Sequence, residues 1–172
     1  MAIDMRNEQE LVEKFLQETT LFLGPDPDLM QDHTLAKRTE REKQAIENSD
    51  PSVLSVTRSK LQAGTNEAFD MLEQIGAAPG AKWGDMVCGI FTAKGDLSIV
   101  SSGGVLLFAS CVQYGVKYII KHWLNDPEVG VNPGDIFYYN DARYGGVHNT
   151  DQVLIMPYFH EGELIGWLTS IV

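Results

Sequence analysis

The sequence predicts an α+β fold in which helices come first and a largely antiparallel sheet with one packed helix follows. Three observations support this prediction. Apolar residues recur at helical spacing along residues 51–75, and a hairpin pattern with a central turn covers residues 85–101. Two further apolar strands meet at the turn sequence His-Glu-Gly-Glu, residues 160–163. A chain of 172 residues is long enough to give such a domain its own core.

The first fifty residues are interpreted as an N-terminal helical arm. Residues 5–23 follow helical spacing, and two prolines and a glycine within residues 24–28 end that helix. Residues 29–49 are highly charged with few apolar anchors, which predicts a solvent-facing helix or a packing arm. Asp50 and Pro51 then begin a long helix, because proline is favoured in the first helical turn.

From residue 51 to residue 172 the chain is predicted to form one domain. After the long helix, which ends in the glycine- and proline-containing segment 76–84, strands alternate with a single helix. The predicted elements are strands near 85–92 and 97–101, a helix over 106–123, a short strand within 136–141, and strands over 152–159 and 164–172. The sequence ends in an apolar run, so we expect the domain to be the front part of a longer chain or to be completed by a partner.

Composition excludes several classes of protein. With 13 basic and 24 acidic residues the net charge is −11, and nonspecific nucleic-acid binding requires a basic face instead. No apolar run approaches the ~18 residues of a membrane span, and the acidic N-terminus lacks the apolar core of a signal peptide. Cys88 and Cys111 do not form a Cys-x-x-Cys pair. A cytoplasmic protein with reduced thiols is therefore predicted, with neither nucleic acid nor membrane as a partner.

The segment from Asn140 to Asp151, NDARYGGVHNTD, contains the strongest candidate site. His148 and Asp151 are three residues apart, and an imidazole with carboxylates suits zinc, manganese or iron. Gly145 and Gly146 allow the loop to bend tightly against an ion or a substrate. The same residue types are also common turn material, and on these residues alone a polar turn is the favoured interpretation.

The remaining polar residues give weaker signals. His33 lies in a charged segment, His122 near a predicted helix end and His160 in a predicted turn, so each is interpreted as structural or solvated. Asp85 opens a predicted strand, where a carboxylate is unfavourable, and by itself it is interpreted as a turn residue. The glycine-rich stretch at 101–105 lacks the spacing of a phosphate-binding loop.

Residues 134–168 resemble the N-terminal core of the hydantoinase B/5-oxoprolinase family. The pattern joins Gly-Asp, Asn-Asp, Gly-Gly-x-His-x-x-Asp, an apolar strand ending in proline, and a Gly-Glu-Leu-x-Gly hairpin, and all of these are present. Asn-Asp-Ala-Arg stands where Asn-Asp-Pro is commoner. The charged arm ahead of residue 51 is similar to the large metal-binding subunits of acetone and acetophenone carboxylases.

The resemblance implies a divalent transition metal, zinc or manganese, held by His148 and Asp151. A carboxylate at the start of the earlier hairpin, here Asp85, is implied as a further ligand, and a second histidine is expected immediately past Val172. Asn140 and Asp141 are implied as support that orients the histidine. Gly145 and Gly146 would form the bend of the loop.

The same resemblance implies an enzyme, namely part of the metal-binding subunit of an ATP-dependent ketone carboxylase that joins an activated enolate to bicarbonate-derived CO₂ and yields a 3-oxo acid. A hydantoinase A-like partner subunit would use the ATP, and a small accessory subunit would complete the assembly. The alternatives are an ATP-dependent cyclic-amide hydrolase of the hydantoinase or 5-oxoprolinase type, and a scaffold segment whose loop is only a turn.

Overall fold

The computed structural model describes Glu10, Glu13, Lys14, residues 24–32 and residues 34–172. The helix predicted over residues 5–23 therefore lies, apart from the three isolated residues, outside the described part, as does His33. None of the helices in the described part is both long enough and apolar enough to cross a bilayer.

The described elements follow the predicted order, helices first and strands later. The helices are α1 (Pro27–Gln31), α2 (Glu40–Glu47), α3 (Pro51–Ile75), α4 (Pro79–Trp83) and α5 (Leu106–His122), with one 3₁₀ turn at Ala142–Tyr144. The strands are β1 (Val87–Thr92), β2 (Leu97–Val100), β3 (Phe137–Tyr139), β4 (Val153–His160) and β5 (Glu163–Ile171). The predicted α+β class is confirmed.

Helix α3 begins and ends at the residues that its capping signals predict. The side chain of Asp50 accepts a hydrogen bond from the amide of Ser52 at 2.7 Å, and Pro51 occupies the first turn. Gly76 caps the other end. The short helix α4 was not predicted, because its residues had been interpreted only as the terminator of α3. Pro79 begins this new helical turn, and Gly84 ends it in a left-handed conformation.

The five strands form one antiparallel sheet with the order β2-β1-β5-β4-β3. β5 is the central strand although it is the last of the five in sequence. Its residue Ile171 pairs with Val87 of β1 on one side and with Val153 of β4 on the other. The first residues of β1 and β4 therefore flank the last residues of β5, at one end of the three central strands.

The core lies between this sheet and α5. Phe108, Val112, Val116 and Ile119 form the buried face of α5 and confirm the predicted helical periodicity. They pack against side chains of the three central strands, which are Val87, Phe91, Val153, Ile155, Trp167 and Ile171. Each such side chain contributes about 1.5–3 kcal/mol on burial. The packed helix thus fixes the position of the loop that follows β3.

The described residues of the N-terminal arm between 24 and 42 are attached to this body through polar contacts. Neither α1 nor α2 contains a buried residue. Asp26, which caps α1, binds Lys121 Nζ at 2.5 Å and His122 Nε2 at 2.8 Å. Further along, Ala36 N donates to Asp96 Oδ2, and Arg41 pairs with Glu163 at 2.8 Å. The arm thus crosses α5 and both hairpin turns.

Candidate metal centre

The loop between β3 and β4 is shaped by a 3₁₀ turn and one left-handed glycine. Asp141 caps the turn through its side chain, and Gly145 ends it at φ 102°. A Cβ at Gly145 would lie 2.3 Å from the carbonyl oxygen of Cys111, so only glycine lets the loop pack this closely on α5. Gly146 is not among the residues with positive φ. The backbone bend therefore lies at Gly145.

His148 and Asp151 are neighbours in space, and the carboxylate of Asp151 organises the turn between them. Asp151 Oδ2 accepts hydrogen bonds from the amides of Val147 and His148, both at 2.8 Å. Its other oxygen, Oδ1, lies 3.3 Å from His148 Nδ1. The Asp151 side chain is 7% exposed and that of His148 is 62% exposed. A fixed carboxylate thus sits beside an accessible imidazole.

This donor pair fits a divalent transition metal. Imidazole nitrogen and carboxylate oxygen are ligands of zinc and manganese. Bonds to such an ion are about 2.0–2.2 Å long, which places neighbouring ligand atoms roughly 3.0–3.5 Å apart. The 3.3 Å between His148 Nδ1 and Asp151 Oδ1 lies within that interval.

Asp85 and Asp151 lie at the same end of the central strands. Asp85 precedes Val87 by two residues and Asp151 precedes Val153 by two, and both of those strand residues pair with Ile171. Val172 forms two backbone hydrogen bonds with Gln152, at 2.7 and 3.2 Å. On the other side a Cβ at Gly80 would lie 3.5 Å from Val172 and 3.7 Å from the Cβ of Asp85. The end of β5 therefore lies between the segments that carry the two carboxylates.

The strand spacing explains why the three predicted ligands do not form one cluster. Within the part of the chain that the structure describes, no group of three or more His, Cys, Asp and Glu side chains could hold an ion. β1 and β4 are separated by β5, hence by two strand spacings or about 10 Å. The starts of β1 and β4 are at that separation, and the metal role of Asp85 stays a prediction.

Asp141 forms an ion pair with Arg143 in the loop. The carboxylate of Asp141 accepts hydrogen bonds from Arg143 Nε at 3.0 Å and from the Arg143 Nη2 atom at 2.6 Å. These bonds hold the pKa of Asp141 below its usual range. The two ends of the loop also approach each other, since Asn149 Oδ1 lies 3.4 Å from the amide nitrogen of Ala142. A role of Asn140 or Asp141 in orienting His148 stays a prediction.

Two residues near the loop were missed by sequence reasoning. The pKa of the Cys111 thiol is raised by burial and also by the charge of Asp151, which places this helix residue beside the candidate site. The hydroxyl of Tyr139 is shielded from solvent and has no hydrogen-bond partner among the described residues. Both lie in apolar stretches of sequence, where periodicity predicts packing and gives no sign of a neighbouring site.

The sheet, its packed helix and the His-x-x-Asp loop all lie in the part of the chain where the sequence pattern suggested a family resemblance. Residues 50–172 match the hydantoinase B/oxoprolinase family. Because this match covers well over half of the chain, the protein belongs to that family.

Relatives within the family give more detail. The chain is 33% identical over 128 residues to the acetone carboxylase alpha subunit of Xanthobacter autotrophicus, covering 73% of this chain and 16% of that protein. It is 30% identical over 137 residues to the acetophenone carboxylase delta subunit of Aromatoleum aromaticum, covering 80% and 19%. Acetone carboxylase in its nucleotide-free structure matches with a TM-score of 0.66 at 32% identity, over 75% of this chain and 17% of that one. The chain thus spans less than a fifth of the length of each.

Proposed function

We propose that this chain forms part of the metal-binding subunit of an ATP-dependent ketone carboxylase. The observation that carries the proposal is the pairing of His148 with Asp151 at 3.3 Å on a loop that belongs to this family's pattern. Identity of 30% or more to subunits of acetone and acetophenone carboxylases supports carboxylation as the reaction. The product would be a 3-oxo acid formed from a ketone and bicarbonate.

His148 and Asp151 would hold a zinc or manganese ion. When bound, such an ion supplies a Lewis acid for the oxygen of an enolate. The carboxylate of Asp151 is fixed by two backbone amides, so one side of the site is preorganised before a ligand arrives. A third donor at the position following Val172 would emerge between Asp85 and Asp151, and the family resemblance expects a histidine there.

The partners follow from the same resemblance. A hydantoinase A-like subunit would use ATP to activate the ketone and bicarbonate, and a small accessory subunit would complete the complex. In the complete assembly the site would have to exclude water while His148 and Asp151 hold the metal. Water would protonate the reacting carbanion before CO₂ could react.

The metal site is tested by metal analysis of the intact assembly. We expect a transition metal in the native protein and a loss of most of it in His148→Ala, because the accessible imidazole is one of two adjacent donors. His160→Ala is the matched control, since this histidine is at the exposed end of the β4–β5 hairpin. Equal metal content in His148→Ala and the native protein would contradict the proposal.

The reaction is tested by incorporation of labelled bicarbonate. ATP-dependent transfer of the label into a 3-oxo acid supports a carboxylase. A cyclic-amide hydrolase is the second candidate, because the family includes oxoprolinases. ATP-dependent opening of a lactam without incorporation of the label would overturn the carboxylase proposal in its favour.

A further inference from the structure

Helix α3 has one side on the body of the protein and a mainly apolar stripe on another side. On the body side, Gln62 Nε2 donates to the carbonyl oxygen of Val100 at 2.7 Å. One turn further along, Asn66 Oδ1 accepts from the amide of Ser102 at 2.8 Å. Among the residues of α3, all of which the structure describes, Thr65 alone is buried. The stripe consists of exposed residues at alternating spacings of three and four, namely Leu54, Thr57, Leu61, Gly64, Ala68, Met71 and Ile75.

This spacing is the pattern of a helix that packs against a second helix. Residues that alternate at three and four positions form the seam of a coiled coil. The four large side chains of the stripe are well exposed, with Leu54 at 54%, Leu61 at 40%, Met71 at 55% and Ile75 at 75%. Single apolar side chains are ordinary on a protein surface, whereas a continuous apolar patch marks an interaction site.

Gly64 lies near the middle of the stripe and has no role in the packing of α3 on the body. A Cβ at this position would meet no atom within 4 Å. Glycine inside a helix is destabilising relative to alanine, so its use at an exposed position calls for a reason. Close approach of a large side chain from a neighbouring helix provides one, because glycine leaves room for it.

The charges of α3 are divided between its two halves. Arg58 and Lys60 lie in the first half, and Glu67, Asp70 and Glu73 lie in the second. Lys60 and Glu67 are seven residues apart and flank the stripe on the same side. An antiparallel partner of the same sequence places the basic half against the acidic half, whereas a parallel one places like charges together. The helix is therefore electrostatically complementary to an antiparallel copy of itself.

We propose that α3 is an interface between two copies of this chain, paired antiparallel about a two-fold axis. With the axis between residues 62 and 63, the apolar layers pair Leu61 with Gly64 of the second copy and Leu54 with Met71 of the second copy. The same register brings Lys60 beside Glu67 of the second copy. The two-fold axis forms each of these contacts twice. The inference is independent of the metal site and goes beyond the proposed function.

Sedimentation equilibrium of the full 172-residue chain over a range of concentrations tests the apolar layer. We expect a reversible dimer. Leu61→Gln should weaken dimerisation at least about tenfold, because it places a polar group in two of the central layers. Leu106→Gln is the matched control and should leave the dimer unchanged, since Leu106 is 62% exposed and lies outside α3. A native chain that stays monomeric, or equal effects of the two variants, would overturn the proposal.

Charge reversal tests the identity of the partner. Lys60→Glu and Glu67→Lys should each weaken dimerisation by about tenfold, because each creates two like-charged contacts. The double variant exchanges the charges and should return the dissociation constant to within about threefold of the native value. Asp70→Lys changes the net charge as much as Glu67→Lys but lies on the other side of the helix, so it should have little effect. A double variant that associates no more tightly than the single variants would exclude antiparallel self-pairing.

A distance measurement tests the orientation directly. A spin label on Ile75→Cys, in a Cys111→Ser background in which Cys88 is buried, reports the separation of the two copies of residue 75. In the antiparallel pair these copies lie at opposite ends of the paired helices, roughly 40 Å apart, whereas in a parallel pair they lie about 10 Å apart. Thermal melting verifies that the variants fold like the native protein. The short distance would overturn the proposed orientation.

Discussion

At the scale of single residues, the candidate loop depends on residues that each have two roles. Asp151 is a proposed ligand, and it also accepts the amides of Val147 and His148. Gly145 is the bend of the loop, and it also packs directly against the backbone of α5 at Cys111. Substitutions at these positions therefore report on the shape of the loop as well as on its chemistry.

Replacement of Asp151 is expected to destabilise the fold. Asp151→Ala leaves two partly buried amides without their acceptor, which costs about 1–3 kcal/mol in the free energy of unfolding. Chemical denaturation measures this difference. His148→Ala retains the amide of residue 148 and should be close to native in stability, as should Thr150→Ala at an exposed position of the same loop. An Asp151→Ala protein of native stability would show that the turn does not need its carboxylate.

The two glycines of the loop are expected to differ. Gly145→Ala combines a positive φ of 102° with a Cβ that would lie 2.3 Å from the Cys111 carbonyl oxygen, so the loop must leave its place on α5. At Gly146 the nearest atoms would be 3.3 Å away. We expect a lower melting temperature and a lower metal content for Gly145→Ala, and smaller decreases for Gly146→Ala. Equal effects at both positions would contradict the observed bend.

At the scale of elements, the arm is distinguished by how it is attached. α5 is fixed by apolar packing on the sheet, whereas the arm over residues 24–42 is fixed by charges and hydrogen bonds. One of these contacts is the carboxylate of Asp26, which lies between Lys121 and His122. Ion pairs are weakened by salt and by protonation, so the arm should separate from the body before the core unfolds.

The Asp26 contact predicts a pH dependence with a definite sign. The hydrogen bond from Lys121 is the largest cause that holds the pKa of Asp26 well below its usual range. A carboxyl group whose pKa is lowered by folding stabilises the protein above its unfolded pKa of about 3.9, and that contribution is lost as the pH falls towards the folded pKa. Asp26→Asn should therefore lower stability at pH 7, and the difference from the native protein should shrink below about pH 4.

Denaturation curves of the two proteins across this range provide the measurement, and hydrogen exchange along residues 24–42 locates the effect. Asp28→Asn serves as the control, because Asp28 is an exposed residue of the same helix. A difference between native and Asp26→Asn that is constant with pH would rule out the ion pair as its source.

At the scale of the whole molecule, burial of Cys88 gives a measure of global opening. Burial raises the pKa of this thiol to about 11, and the thiolate is the form that reacts with alkylating reagents. In a Cys111→Ser background we expect slow alkylation of Cys88 at pH 7.5, with a rate that rises in parallel with unfolding in urea. Fast alkylation under native conditions would show that the β1 region opens without global unfolding.

Much of the fold could be predicted because its signals are local. The caps at Asp50 and Gly76 set the limits of α3, and the period of apolar residues identified α5. The central position of β5 could not be predicted, since strand order depends on contacts between distant segments. His148 and Asp151 are three residues apart, so their proximity is a local matter, but spacing alone favoured a polar turn and the family resemblance singled out the pair. The relation of Asp85 to that pair depends on strand order.

The central position of β5 has a consequence for folding during synthesis. β1 and β4 both pair with β5, and not with each other, so neither can complete its hydrogen bonding until residues 163–171 have left the ribosome. Because synthesis adds about 5–20 residues per second, one edge of β1 remains unpaired for several seconds until β5 is made. Exposed strand edges favour association between chains. The nascent protein should therefore depend most on chaperones in the interval between the emergence of β1 and that of β5.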